Sequence, residues 1–96
     1  MQLQVSGTRR TDRFDTDVRS VPIDIARAAE AARKTLLRNS QSGGLRLHPL
    51  KGYPKPTIFK IDVTPNRAWQ ITFELDGTIA VLLRLATHKT LDRDPR

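Results

Sequence analysis

The stretch "WQITFELDGTIAVLLRLAT", residues 69–87, decides the fold. Trp69, Ile71, Phe73 and Leu75 alternate with Gln70, Thr72 and Glu74, the period-two pattern of a strand with one buried face. Asp76-Gly77 then supplies a two-residue hairpin signal. Ile79, Val81, Leu83 and Leu85 continue the alternation, with Ala80, Leu82, Arg84 and Ala86 on the opposite face. Leu82 makes this second strand apolar on both sides. That predicts an interior place in the sheet, with a neighbouring strand on each flank.

Upstream, Phe59, Ile61 and Val63 alternate with Lys60, Asp62 and Thr64, and Pro65-Asn66 makes a turn, so three antiparallel strands form a meander. Residues 45–56, "LRLHPLKGYPKP", hold three prolines and a glycine and predict a structured loop or a short edge strand. Before them, "IDIARAAEAARKTLLR" is built from strong helix formers and predicts a helix over 23–38. Ile25, Ala29, Ala32 and Leu36 line one face of it, and the many alanines suit close packing on a sheet. Asn39 is expected to end it in a left-handed cap. Thr11 is expected to cap an earlier helix with the apolar stripe Phe14, Val18 and Val21. Asp12 and Asp15 complement its dipole, and Pro22 marks the bend between the helices. "MQLQV" alternates as a half-buried strand, ended by "SGTRRT", and supplies the neighbour that the last strand needs. The expected class is α+β: an N-terminal strand, a two-helix hairpin and a three-stranded antiparallel meander in one sheet, with the helices on one face. Residues 1–96 are read as a single domain.

Charge narrows the function. The chain has 17 Lys and Arg against 10 Asp and Glu, a net charge of +7. From Arg33 to Lys60 it carries Arg33, Lys34, Arg38, Arg46, Lys51, Lys55 and Lys60 and no acidic residue. A field of one sign favours polyanions, by steering and by counterion release. An acidic protein partner or a plain solvated surface are the competing readings. No apolar run approaches the ~20 residues that span a bilayer. "MQLQVSGTRR" lacks the charge order and apolar stretch of a signal peptide, so a cytoplasmic location without membrane attachment is expected. With no cysteine there is no disulfide or thiolate site. Two histidines without a suitably spaced carboxylate argue against zinc. No metal or cofactor is expected.

Three segments, "TDRFDTDVRSVPIDIARAAEAARKTLLRN", "GGLRLHPLKGY" and "RAWQITFELDGTIAVLLRLATHKT", together resemble the RelE/ParE superfamily of bacterial type II toxins over nearly the whole chain. The Trp-x-Ile-x-Phe and Thr-His ending is more similar to the YafQ-like branch. The resemblance implies a RelE-like fold, a cognate antitoxin that wraps the toxin in a hetero-oligomeric complex, and one of two activities. Most members cleave mRNA without metal, usually on the ribosome, while the ParE branch poisons DNA gyrase. A small non-catalytic RNA-binding module is the reading outside the family.

Metal-free RNA cleavage drives the 2′-hydroxyl onto the adjacent phosphate. It needs a base, a proton donor for the leaving 5′-oxygen and cations for the charged phosphorane. Histidine suits the first two tasks, because its ordinary titration range spans neutral pH. Under the resemblance, His88 matches the terminal histidine and is assigned general acid, with His48 as its partner base. A histidine satisfying backbone groups at a strand end and a loop histidine stiffened by Pro49 are the competing readings. Lys89 matches the family's late basic position. Arg84, sharing a face with Ala80 and Ala86, is expected to have room above the sheet as a phosphate clamp. Arg46, Lys51, Lys55 and Arg67 are candidates for binding flanking phosphates, and Trp69 and Tyr53 for base stacking, against core packing for Trp69. Two departures stand out: Gln70 occupies the penultimate-strand position where RelE-type nucleases carry arginine, and "LDRDPR" holds no tyrosine. A histidine-based arrangement is what survives.

Overall fold

The computed structural model describes residues 3–96. Its elements run β1 (Gly7–Arg10), α1 (Asp12–Ser20), α2 (Ile23–Arg38), β2 (His48–Pro54), β3 (Thr57–Asp62), β4 (Trp69–Asp76), β5 (Ile79–Thr87) and α3 (His88–Arg93), with a 3-10 turn at Gly43–Leu45 before β2. Among the described residues, five strands form one sheet in the order β1-β5-β4-β3-β2. The meander β3-β4-β5 is antiparallel, with Ile61 opposite Ile71 and Ile71 opposite Leu85. β1 runs parallel to β5 from Gly7 opposite Ile79 to Arg10 opposite Leu82. β5 is therefore flanked on both sides, as its two apolar faces require.

β1 does not lie where alternation placed it. Met1 and Gln2 of the expected strand fall outside the described residues. Leu3 to Val5 carry no strand pairing, although Val5 packs on the core as an irregular segment. The strand begins at Gly7, because pairing with β5 selects it rather than apolar periodicity. A Cβ on Gly7 would stand 3.0 Å from Ile79 Cδ1, so glycine permits this close parallel approach.

Past Leu82 the edge of β5 loses its β1 partner, and α1 takes over its backbone groups. Thr11 Oγ1 caps α1 by accepting from the Phe14 amide at 3.2 Å and donates to the Leu82 carbonyl at 2.9 Å. The Leu85 amide donates to Asp17 Oδ2 at 2.9 Å. α2 spans the expected residues and buries Ala29, Ala32 and Leu36. Asn39 is extended at φ −159°, not left-handed. Its side-chain oxygen accepts from the Gln41 amide at 3.0 Å, an Asx turn that makes the left-handed cap unnecessary.

Phe14, Ala29, Ala32 and Leu36 of the helices meet Ile61, Ile71, Phe73, Ala80, Leu82 and Leu85 of the sheet in the core. Phe59 and Phe73 stack at 5.4 Å. Ala80 and Leu82 join this face because β5 carries an irregularity: Thr72 is opposite Arg84 but Phe73 is opposite Leu82. Leu83 is the extra residue of a bulge, which reverses the facing of every side chain before it. The expectation that Arg84 shares a face with Ala80 is corrected by this bulge.

The Pro-rich segment is an edge strand, β2, whose register with β3 shifts between Pro49 and Pro54. The expected Asp76-Gly77 turn is displaced by one residue. Asp76 still pairs with Ile79, and Gly77, at φ +62°, opens the two-residue loop Gly77-Thr78. α3 has no counterpart in the expected element order. It packs on β4 and β5 with Leu91 buried, on the face opposite α1 and α2. Asp94 to Arg96 continue over that face, where Thr72 Oγ1 donates to the Pro95 carbonyl at 2.7 Å. Among the described residues no helix is long and apolar enough to cross a membrane.

Candidate active site

Period-two alternation in β3 and β4 turns Ile61 and Ile71 into the core, so Lys60, Asp62, Gln70 and Thr72 point the other way, toward α3. These polar side chains are nevertheless buried. Each therefore needs a partner. Gln70 Nε2 donates to Asp62 Oδ1 at 2.8 Å, which aims Gln70 Oε1 at His88 Nδ1, 3.3 Å away. Arg46 forms a two-pronged pair with Asp62, Nε to Oδ2 at 2.5 Å and Nη2 to Oδ1 at 3.4 Å. Burial alone would push the Asp62 carboxyl up. The hydrogen bonds from Arg46 and Gln70, with the charges of Arg46 and Arg67, outweigh it and hold the carboxyl below its ordinary value. The same hydrogen bond raises Arg46.

Arg46, Gln70 and His88 of this network reach an open hollow of about 670 Å³, which they line together with Asn66, Arg67, Ala68, Thr87 and Lys89. Arg46 and Arg67 both hold positive φ, 46° and 63°. Non-glycine residues seldom adopt that conformation, and it gathers at functional sites. Arg67 is placed by a tight loop: Asn66 Oδ1 accepts from the Ala68 amide at 3.1 Å, and the Arg67 amide donates to the Thr64 carbonyl at 3.0 Å. His88 opens α3 at the rim with its side chain 55% exposed, and its Nε2 lies 3.2 Å from Asp92 Oδ2. An exposed imidazole beside three cations is a combination able to move a proton at a bound phosphodiester.

Of the residues singled out from sequence, His88, Lys89, Arg46 and Arg67 come together here. His48 does not line this hollow. It stands in a smaller cleft with Leu3, Gln41, Leu47, Pro49 and Phe59, and its Nδ1 donates to the Arg46 carbonyl at 2.5 Å. Arg46 thus touches both settings, by its carbonyl in one and its guanidinium in the other. Lys51 lies exposed on β2, and Lys55 lies exposed in the turn that follows it. Arg84 lacks the room expected of it. It is 8% exposed, because Asp17 takes its Nε at 2.8 Å and Asp94 its Nη1 at 3.3 Å. The Asp17 hydrogen bond raises Arg84 further above its ordinary range. Trp69 is half-buried opposite Thr87. Sequence reasoning passed over Lys60, Asp62, Gln70 and Asp92 as site residues. For Lys60, Asp62 and Gln70 the usable signal was polar residues recurring every second position on β3 and β4. Of these, β4 is interior to the meander and β3 becomes interior once β2 pairs with it.

No family profile and no curated sequence matches this chain. Solved structures do match in fold. The Escherichia coli toxin–antitoxin complex DinJ–YafQ superposes with a TM-score of 0.65 at 19% identity, covering 95% of this chain and 98% of the matched one. A variant of E. coli YafQ with a histidine replaced by glutamine gives a TM-score of 0.65 at 19% identity, over 88% and 94%. The RelB–RelE antitoxin–toxin complex of Methanococcus jannaschii gives 0.61 at 24%, over 86% and 93%.

Proposed function

We propose that this chain, which carries the fold of the YafQ and RelE toxins, is the toxin of a toxin–antitoxin pair and cleaves messenger RNA on translating ribosomes. A cognate antitoxin would hold it in check in a hetero-oligomeric complex. The observation that carries this reading is the exposed His88 at the rim of a hollow walled by Arg46, Arg67 and Lys89. The likeness to structures solved as toxin–antitoxin complexes supports the antitoxin half.

In the proposed reaction the 2′-oxygen forms a bond to phosphorus and the bond to the 5′-oxygen breaks. His88 gives the departing oxygen its proton. Lys89, Arg67 and the free flank of Arg46 stabilise the charge gathering on the phosphorane oxygens. His48 is the proposed base. Its Nδ1 proton is held by the Arg46 carbonyl, so in the neutral ring Nε2 is the accepting nitrogen. It stands in the neighbouring cleft, two residues past Arg46, whose carbonyl holds it and whose guanidinium lines the hollow.

The test is induction of His88→Ala in growing cells with primer-extension mapping of transcripts. The variant is expected to lose growth arrest and the codon-registered cuts, a rate loss of about 10²–10⁴-fold for a positioned acid–base group. His48→Ala is expected to slow cutting with the same cut positions. Arrest that persists with DNA-damage signalling and no cuts identifies a gyrase poison and overturns the nuclease reading.

A further inference from the structure

The mechanism above uses His88 but not the two charged groups behind it. Lys60 projects from β3 and is 5% exposed. Its Nζ lies 3.4 Å from His88 Nδ1 and 3.6 Å from Asp92 Oδ1. Asp92, one helical turn beyond His88 on α3, places its other oxygen 3.2 Å from His88 Nε2. One carboxylate thus faces both the buried ammonium and the far nitrogen of the imidazole.

We propose that Lys60 and Asp92 are positioning residues that hold the neutral His88 ring with its proton on Nε2. An ionised carboxylate is acceptor-only, so the nitrogen facing Asp92 makes a hydrogen bond when it carries hydrogen and a repulsive lone-pair contact when it does not. An ammonium is donor-only, so the nitrogen facing Lys60 is favoured as a lone pair. Both constraints select the same tautomer. Gln70 Oε1, the other neighbour of Nδ1 at 3.3 Å, would select the opposite one, because its amide is locked by Asp62 with the oxygen toward the ring. Two charge-assisted contacts outweigh one neutral one. When the ring gains a second proton it arrives on Nδ1, where Gln70 accepts it. The proton handed to a leaving oxygen is then the Nε2 proton that Asp92 holds in the resting state. Asp92 also compensates the buried charge of Lys60.

Only the kinetic arm of the test rests on the proposed nuclease reaction; the tautomer is read on the resting protein. Histidine labelled with ¹⁵N is introduced, and the ring nitrogens are followed by long-range ¹H–¹⁵N correlation at a pH where imidazole is neutral, with His48→Ala assigning the signals. Wild-type protein is expected to show His88 protonated on Nε2. Either single variant, Lys60→Met or Asp92→Ala, keeps that form, since one constraint survives. The double variant leaves Gln70 as the polar neighbour of Nδ1 and is expected to move the proton there. A wild-type ring protonated on Nδ1, or a folded double variant with an unchanged tautomer, overturns the inference. In cleavage of a defined mRNA on programmed ribosomes, the double variant should lose on the order of 10²-fold in kcat with KM unchanged. An altered tautomer with unchanged kcat would overturn the positioning role. Cleavage that survives His88→Ala defeats the nuclease reading instead and leaves the spectroscopic result standing.

Discussion

Asp62 shows how a single side chain can organise the site from beneath. It sits at 6% exposure, receives Arg46 and Gln70, and through Gln70 sets the acceptor that faces His88. Its carboxyl is held below the ordinary value of 3.8 in the folded chain. The folded state therefore binds fewer protons than the unfolded state in that region, and ionised Asp62 stabilises the fold above pH 3.8. That contribution fades as pH falls through the lowered value. Urea titrations of Asp62→Asn should show a loss of about 1–2 kcal/mol at neutral pH, with the two proteins converging in acid. A gap that stays constant into acid would show that the carboxylate charge is not what matters. Arg84 is the opposite lesson. In the sequence it is a cation between small residues and resembles a clamp. Its partners, Asp17 and Asp94, lie far from it along the chain or beyond the last strand, where no periodicity reports on them.

At the level of elements, legibility followed whether a segment's own side chains select its structure. α2 was readable because Ala29, Ala32 and Leu36 repeat at helical spacing, and β4 because Ile71 and Phe73 repeat at two. β1 was not, since Gly-Thr-Arg-Arg carries no apolar rhythm and is a strand only because β5 offers it backbone partners. The Leu83 bulge hid the true facing of β5 for a related reason: an inserted residue leaves composition unchanged while reversing phase. α3 is six residues long and too short to announce itself by pattern. The β4-β5 hairpin supplies a prediction. Gly77 holds φ +62° with open space where a Cβ would stand, so substitution there costs backbone strain and little else. Gly77→Ala should destabilise by about 1–2 kcal/mol in chemical denaturation, and Gly77→Asn by less, since asparagine tolerates the left-handed region. Equal losses for the two would point to packing instead.

For the molecule as a whole, the basic stretch of sequence is less uniform in space than along the chain. Arg33 is paired with Glu30, Arg46 with Asp62, and Lys60 is buried beside Asp92. Lys51 on β2 and Lys55 in the turn after it remain exposed, and Arg67 and Lys89 line the hollow. Net charge was legible in advance; which charges face outward was not, because partners such as Asp62 and Asp92 come from other elements. If Arg46, Arg67 and Lys89 are the phosphate contacts, three released counterions predict a fall in ribosome affinity of roughly 20- to 40-fold between about 50 and 200 mM salt. Arg67→Ala with Lys89→Ala should flatten that slope by about two thirds. An unchanged slope in the double variant would move the polyanion contact elsewhere, with the β2 edge the next surface to test.

The parallel pairing of the first strand with the last has a bearing on synthesis. Ser6 and Thr78 hydroxyls meet at 2.6 Å across 72 positions of chain, and α1 finds the edge it covers only in Leu82 and Leu85. A nascent chain emerging from its N-terminus thus carries helices with no sheet to rest on until β5 has been translated, and His88 follows β5 directly. Contacts of such long range form late. The hollow is consequently assembled only after β5 and His88 have been translated, and not while the helices alone have emerged.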